Sequence, residues 1–225
     1  MKKTTLLLIF VLVAMVRVCA QNGNKLGNPI LPANRFLVDE IELRDQAIRK
    51  VSNFVDYLQK IVDRYPNLSL DKRRETREKW RQYALKLFIG QGKSFQLPNG
   101  RVCSPVEIEI TSLQPKSTKR LRVSQYLLNL IGLAEDYYAE VYITNYDVMQ
   151  CSEINEVGNG LYKCTVSFTQ QFVARRKDSN KTGGDLTEKV VEVYLKIDLD
   201  KNNRPKIVAY LGDITAGETL KLNSY

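Results

Sequence analysis

The residues best suited to chemistry in this chain are tyrosines and carboxylates gathered on one predicted strand. Tyr137, Tyr138, Tyr142 and Tyr146 crowd the stretch 137–150. Strand alternation puts Tyr138, Tyr142 and Tyr146 on one face with Glu140 and Thr144. An isomerase or dehydratase needs a carboxylate base near hydroxyl donors in a dry pocket. Glu140 or Asp147 with a tyrosine supplies those groups. Turned outward, the same face is a wet aromatic surface for a protein partner, and ordinary sheet packing is its plainest reading. Tyr57 and Tyr83 lie beside the apolar stripes of two predicted helices. Tyr57, Tyr83, Glu140 and Tyr142 are therefore the expected lining of a ligand pocket. An aromatic wall with one carboxylate suits a small apolar or weakly cationic molecule better than a phosphate.

What the chain lacks narrows the chemistry further. None of its 225 residues is a histidine. That excludes Ser-His-Asp and Cys-His catalysis and histidine metal sites. No cysteine or carboxylate spacing marks a metal site. Asp198, Asp200, Asn202 and Asn203 lack the tight-turn glycine and closing glutamate of a calcium loop, and read as a β-turn. Gly92 to Gly100 has no phosphate-loop spacing. No metal and no cofactor is expected. Asn67 and Asn180 fit the glycosylation sequon, which matters only in a eukaryotic secretory route.

The first twenty residues read as an export signal. Lys2 and Lys3 precede the apolar run Leu6 to Val16, which is too short to span a bilayer. Val18-Cys19-Ala20 then places compact residues at a cleavage site, and the expected cut follows Ala20. A lipoprotein anchored at Cys19 is the alternative; Val18 before the cysteine is branched where a small residue is wanted. Loss of Lys2, Lys3 and Arg17 takes the 34 basic residues to 31 against 25 acidic ones, so the net charge drops from +9 to +6. That balance favours solubility and weak attraction to acidic surfaces, without making a nucleic-acid binder. No later stretch is apolar enough to span a membrane. The expected place is a bacterial periplasm or cell surface.

Cleavage leaves Cys103, Cys151 and Cys164 in a compartment where disulfides persist. Cys151 and Cys164 flank the turn between two predicted strands. A symmetric loop centred near Val157-Gly158 places them opposite each other. A two-residue turn at Asn159-Gly160 places Cys151 opposite Phe168 instead. A bond between Cys151 and Cys164 is expected, with Cys103 free; three small buried hydrophobes are the alternative.

These residues must be positioned by a mixture of helices and strands. Residues 21–37, with Gly, Asn and two prolines, read as an extended leader, and 38–225 as one domain. Ile41, Ile48, Val51, Val55, Leu58 and Val62 recur at helical spacing and predict a helix over 38–65, stopped by Pro66. A second helix is expected over 70–89, capped by Ser69, with Trp80, Tyr83, Ala84, Leu87 and Phe88 inward and Gly90 closing it. Its basic residues, Lys72 to Arg81, alternate with acids and read as a solvated face with surface ion pairs; Lys116, Lys119, Arg120 and Arg122 read likewise. Val106, Ile108 and Ile110 mark a strand. A third helix is expected over 121–131, ended by Gly132. Long strands then follow over 137–150, 161–176, 190–199 and 206–212, with a short edge strand at 219–222. Asn159-Gly160, 180–184 and 201–205 are the expected turns.

The expected class is α+β: two long helices and a short third packed on a strongly bent, mostly antiparallel sheet of five or six strands. This order of elements over 38–214 resembles the NTF2-like superfamily, close in shape to cystatin-like folds. The resemblance implies a concave pocket between sheet and helices, used as an enzyme site or a ligand site or filled by side chains. It also implies a possible homodimer through the outer sheet face. The functional expectation is a non-catalytic binding or interaction domain whose partner is an envelope protein or a small ligand. The alternatives are a small isomerase- or dehydratase-like enzyme and a structural component of an envelope assembly. A cavity above roughly 300 Å³ holding a buried carboxylate would favour the enzyme; a filled cavity would favour the others.

Overall fold

A computed structural model describes residues 39–113, 116–179 and 181–222. The expected signal sequence, the leader, Cys19 and Asn180 lie outside the described residues. Helix α1 spans Glu40–Val62. The Asp39 carboxylate caps it, accepting from the Ile41 amide at 3.0 Å, and Glu40 and Glu42 face the positive end of the helix dipole. Leu43, Ala47, Val51, Phe54, Val55, Leu58, Ile61 and Val62 form its buried stripe. Ile41, expected on that stripe, is exposed in the first turn.

Helix α2 covers Leu70–Leu85, four residues short of the expected end. The sheet claims Leu87 and Phe88. Leu211 donates its amide to the Leu87 carbonyl at 2.9 Å, and Phe88 forms an isolated parallel bridge to Leu211. Phe88 is fully buried and meets Phe54 edge-on at 5.0 Å. Gly90, at φ 71°, belongs to the 3-10 turn Ile89–Gly92 that follows, not to the helix end. Ser69 sits at the N-cap but makes no side-chain cap bond. The basic face of α2 has one inward member. Arg77 is only 5% exposed. It donates to the Asp63 carbonyl at 2.8 Å and to Glu135 at 3.3 Å, tying α2 to the end of α1.

The strands are β1 (Phe95–Gln96), β2 (Val102–Cys103), β3 (Glu107–Leu113), β4 (Lys116–Arg122), β5 (Tyr138–Asn145), β6 (Gln150–Cys151), β7 (Asn155–Gly158), β8 (Leu161–Arg176), β9 (Thr182–Leu199) and β10 (Pro205–Leu222). Helix α3 (Val123–Gly132) and a π-helical turn (Leu133–Tyr137) join β4 to β5. β1 and β2 form a small hairpin. The main sheet runs β4-β3-β10-β9-β8-β5, with β6 and β7 also paired to β8. Among the described strands, only β3 and β10 pair in parallel. The fold is thus α+β, three helices on an open, mostly antiparallel sheet. Among the described residues its spine has six strands, within the five or six expected though β4 stands in place of a separate strand at 219–222, and two short pieces bring the total to eight.

Three differences follow from local physics. β4 was not legible because, from Ser117 onward, only Leu121 is apolar, as suits an outer strand. β9 starts at Thr182, so Gly183 and Gly184 are strand rather than turn. A Cβ on Gly184 would lie 2.4 Å from the Phe172 carbonyl oxygen, so close backbone approach requires glycine there. The expected edge strand at 219–222 is the far end of β10, reached through register shifts after Leu211 and Ala216 that bend the strand.

Candidate functional site

The core face of β9 carries Val191, Val193 and Leu195, all fully buried. Followed upstream with the same alternation, that face becomes polar: Lys189, Thr187 and Asp185. Their partners across β8 are Phe168, Gln170 and Phe172. Helix α3 lies over this patch and leaves a cavity of about 560 Å³ between itself, β3, β4, β8 and β9. Ile110, Leu121, Leu130, Leu133 and Phe172 give it apolar walls. Tyr126, Gln170, Asp185, Thr187 and Lys189 supply its polar groups.

Lys189 is 7% exposed. Its Nζ donates to the Glu109 carbonyl oxygen at 2.8 Å. An ammonium carries three donors, and that bond uses one. Burial lowers its pKa to about 8, against the opposing pull of Asp185 and Glu109. The Glu109 carboxylate is engaged elsewhere, by the Ala216 amide at 3.0 Å and Arg120 at 2.6 Å, which hold its pKa down. Burial raises the pKa of Asp185, opposed by the Thr187 hydroxyl and Lys189.

The hydroxyls behind Asp185 have a defined direction. Thr187 donates its one proton to Asp185 Oδ1 at 3.1 Å. It therefore accepts from Thr219 at 3.2 Å, and Thr219 accepts from Thr111 at 2.7 Å. The Tyr126 hydroxyl bonds Gln170, and burial pushes its pKa up to about 12. The cavity thus offers apolar walls, a buried amine with donors to spare, and a half-buried carboxyl group.

The expected lining residues lie elsewhere. Tyr57 and Tyr83 do meet, at 6.3 Å between ring centroids, but around Trp80 at the α1–α2 junction. Lys60 Nζ sits 4.4 Å from the Trp80 ring centroid, making the cluster a cation–π contact. β5 buries Val141 and Ile143, so its alternate residues, Glu140 and Tyr142, point away from the core. Tyr142 is 53% exposed. Glu140 pairs with Arg64 at 2.6 Å and Arg175 at 3.0 Å. Arg175 is the main cause of its lowered pKa. Asp147 accepts from the Thr169 amide and hydroxyl, both at 2.7 Å, and serves as a turn clamp. None of Tyr57, Tyr83, Glu140 and Tyr142 lines the cavity.

Two residues that do line it, Lys189 and Asp185, had a signal. Lys189 stands two positions before Val191, in the alternation that continues through Val193 and Leu195. Starting the strand at Val190 and reading Gly183-Gly184 as a turn hid it.

The cysteines sit in neither expected register. The hairpin turns at Asn159-Gly160, both at positive φ. Successive shifts along β7 and β6 then bring Cys151 opposite Val166 rather than Phe168. Cys164 is two residues from Val166 on the same face, and its side chain bonds that of Cys151. Both are thiols, as is Cys103, which pairs with Phe95 in the β1–β2 hairpin. Burial, then the neighbouring Cys151, raise the Cys164 pKa.

A second, polar recess of about 420 Å³ is bordered by β2, β9 and β10. Within it Glu192 accepts from Lys163 at 2.6 Å and from the Tyr194 hydroxyl at 3.2 Å. Among the described residues, no helix is long and apolar enough to cross a membrane. Among the same residues, no group of three or more His, Cys, Asp or Glu side chains is placed to hold a metal ion. No protein-family model and no curated protein matches the chain, so the site is read from its own geometry.

Proposed function

We propose that the chain is an exported, non-catalytic binding protein of a bacterial periplasm or cell surface. Its ligand is a small, mainly apolar molecule with one polar head, held beneath α3. The observation that carries this reading is the open volume of about 560 Å³, walled by aliphatic and aromatic side chains, with its charged groups confined to β9. The resemblance to NTF2-like proteins supports the same reading, since it implies a pocket between sheet and helices.

One observation favours a small enzyme of the isomerase or dehydratase kind. A carboxyl with a raised pKa, Asp185, shares the cavity with the Tyr126 hydroxyl. Against it, Asp185 is only half-buried, and Tyr126 is bonded to Gln170 with a pKa too high for an effective acid near neutrality. Binding is the better-supported reading.

The test is a thermal-shift screen of apolar alcohols, acids and amides against the wild type, Lys189→Met and Glu140→Gln. The expected result is stabilisation of the wild type and Glu140→Gln, altered in Lys189→Met. Equal stabilisation of all three would place the ligand elsewhere. Turnover of a screened compound, abolished by Asp185→Asn, would establish the enzyme instead.

A further inference from the structure

We propose that Lys189 is a nucleophilic amine that captures aldehydes or ketones entering the cavity beneath α3 as a reversible imine. This rests on the cavity reading above and names the ligand class: an apolar carbonyl compound. Three features carry it. The amine is buried on the core face of β9, yet it borders open volume. Its Nζ makes one hydrogen bond, to the Glu109 carbonyl, so it is anchored without being enclosed by acceptors. Its surroundings are mostly apolar, and such surroundings favour the neutral amine, the form that attacks carbonyl carbon.

The step balances without any redox partner. The Nζ lone pair adds to the carbonyl carbon and the carbonyl oxygen takes a proton, giving a carbinolamine. The carbinolamine hydroxyl then leaves as water while nitrogen loses its second proton, and C=N forms. Asp185, four residues upstream on the same face of β9, is the carboxyl in the cavity able to hand a proton to the departing hydroxyl and recover one from nitrogen. Burial keeps its protonated form accessible. The titratable and charged groups facing the amine are Asp185 on its own strand, Glu109 on β3 with its carboxylate held by Arg120, and Tyr126 from α3.

The experiment incubates the mature protein with octanal and cyanoborohydride, which fixes an imine as a secondary amine, and maps modified peptides by mass spectrometry. Octanol, equal in shape but without a carbonyl, is added as competitor. The expected result is one dominant adduct at Lys189, suppressed by octanol and lost in Lys189→Arg. Its formation should rise with pH through about 8, whereas surface lysines follow the ordinary value of 10.5. Adducts spread over surface lysines with Lys189 unmodified would overturn the proposal. The wild-type map decides the outcome even if a variant fails to fold. If octanol raises the melting temperature of wild type but Lys189 stays unlabelled, only the imine falls. If octanol does not bind either, the cavity reading falls with it.

Discussion

Lys189 carries a cost that depends on pH. Its pKa drops from 10.5 to about 8 on folding, so between those values the unfolded chain holds a proton that the folded chain has released. Stability should therefore rise with pH across that window, with the full cost of the buried charge present below about pH 8. Lys189→Met is expected to be more stable than the wild type near neutrality, by roughly 1–3 kcal/mol, because it removes a charge buried among apolar groups. The gap should narrow as pH rises toward 10.5. Denaturant melts at the two ends of the window check both sign and slope; a pH-independent difference would deny the linkage. Asp185 has the opposite sign. Its raised pKa means that stability is lost as pH rises through its folded value, so Asp185→Asn should stabilise at neutral pH and not at acid pH. Tyr126→Phe removes a hydroxyl bonded to Gln170 and should cost about 1 kcal/mol while leaving the apolar walls intact. At this scale the sequence was partly legible. Alternation correctly put Glu140 and Tyr142 on one face, but cannot say which face is core. Val141 and Ile143, the more apolar pair, decide it.

Among the elements, β5 ends the spine of the sheet and would leave backbone groups unpaired. Gln59 of α1 covers them. Its Oε1 accepts from the Ile143 amide at 2.7 Å and its Nε2 donates to the Val141 carbonyl at 3.5 Å. Gln59→Ala is expected to cost about 1–3 kcal/mol, since it strands a buried amide, whereas the exposed Tyr142→Ala should cost far less. Equal effects in chemical denaturation would contradict this role. The hairpin beside β8 makes a second prediction. The diagonal placement of Cys151 and Cys164 supports a disulfide between them in oxidising conditions, with Cys103 free. Non-reducing peptide maps should find that pair, and its loss should cost about 2–3 kcal/mol; three free thiols would refute it. Two long elements were legible, α1 from its spacing and β8 to its first and last residue, Leu161–Arg176, whereas β9 begins well before the expected Val190 and β10 runs on through the expected edge strand. The early end of α2 was not, because Leu87 and Phe88 fit a helical stripe and an extended bridge to Leu211 equally well. Only the sheet chooses between them.

Across the whole molecule, fold class could be read from the chain because period and order survive without coordinates. The cavity could not, because it arises where α3 from mid-chain lies over strands drawn from four other places in the sequence. Export is a separate expectation: protein from the native host should begin at Gln21, and an intact Met1 or a lipid on Cys19 would contradict it. The central claim is that the space beneath α3 is a binding site. Titration with an environment-sensitive naphthylamine fluorophore, comparing the wild type with a folded Leu121→Trp variant that fills the cavity, tests it most directly. One saturable site in the wild type, lost in Leu121→Trp and retained in Glu140→Gln and Tyr142→Ala, is the expected result. Equal binding by the wild type and Leu121→Trp, or loss of binding in Glu140→Gln, would contradict it.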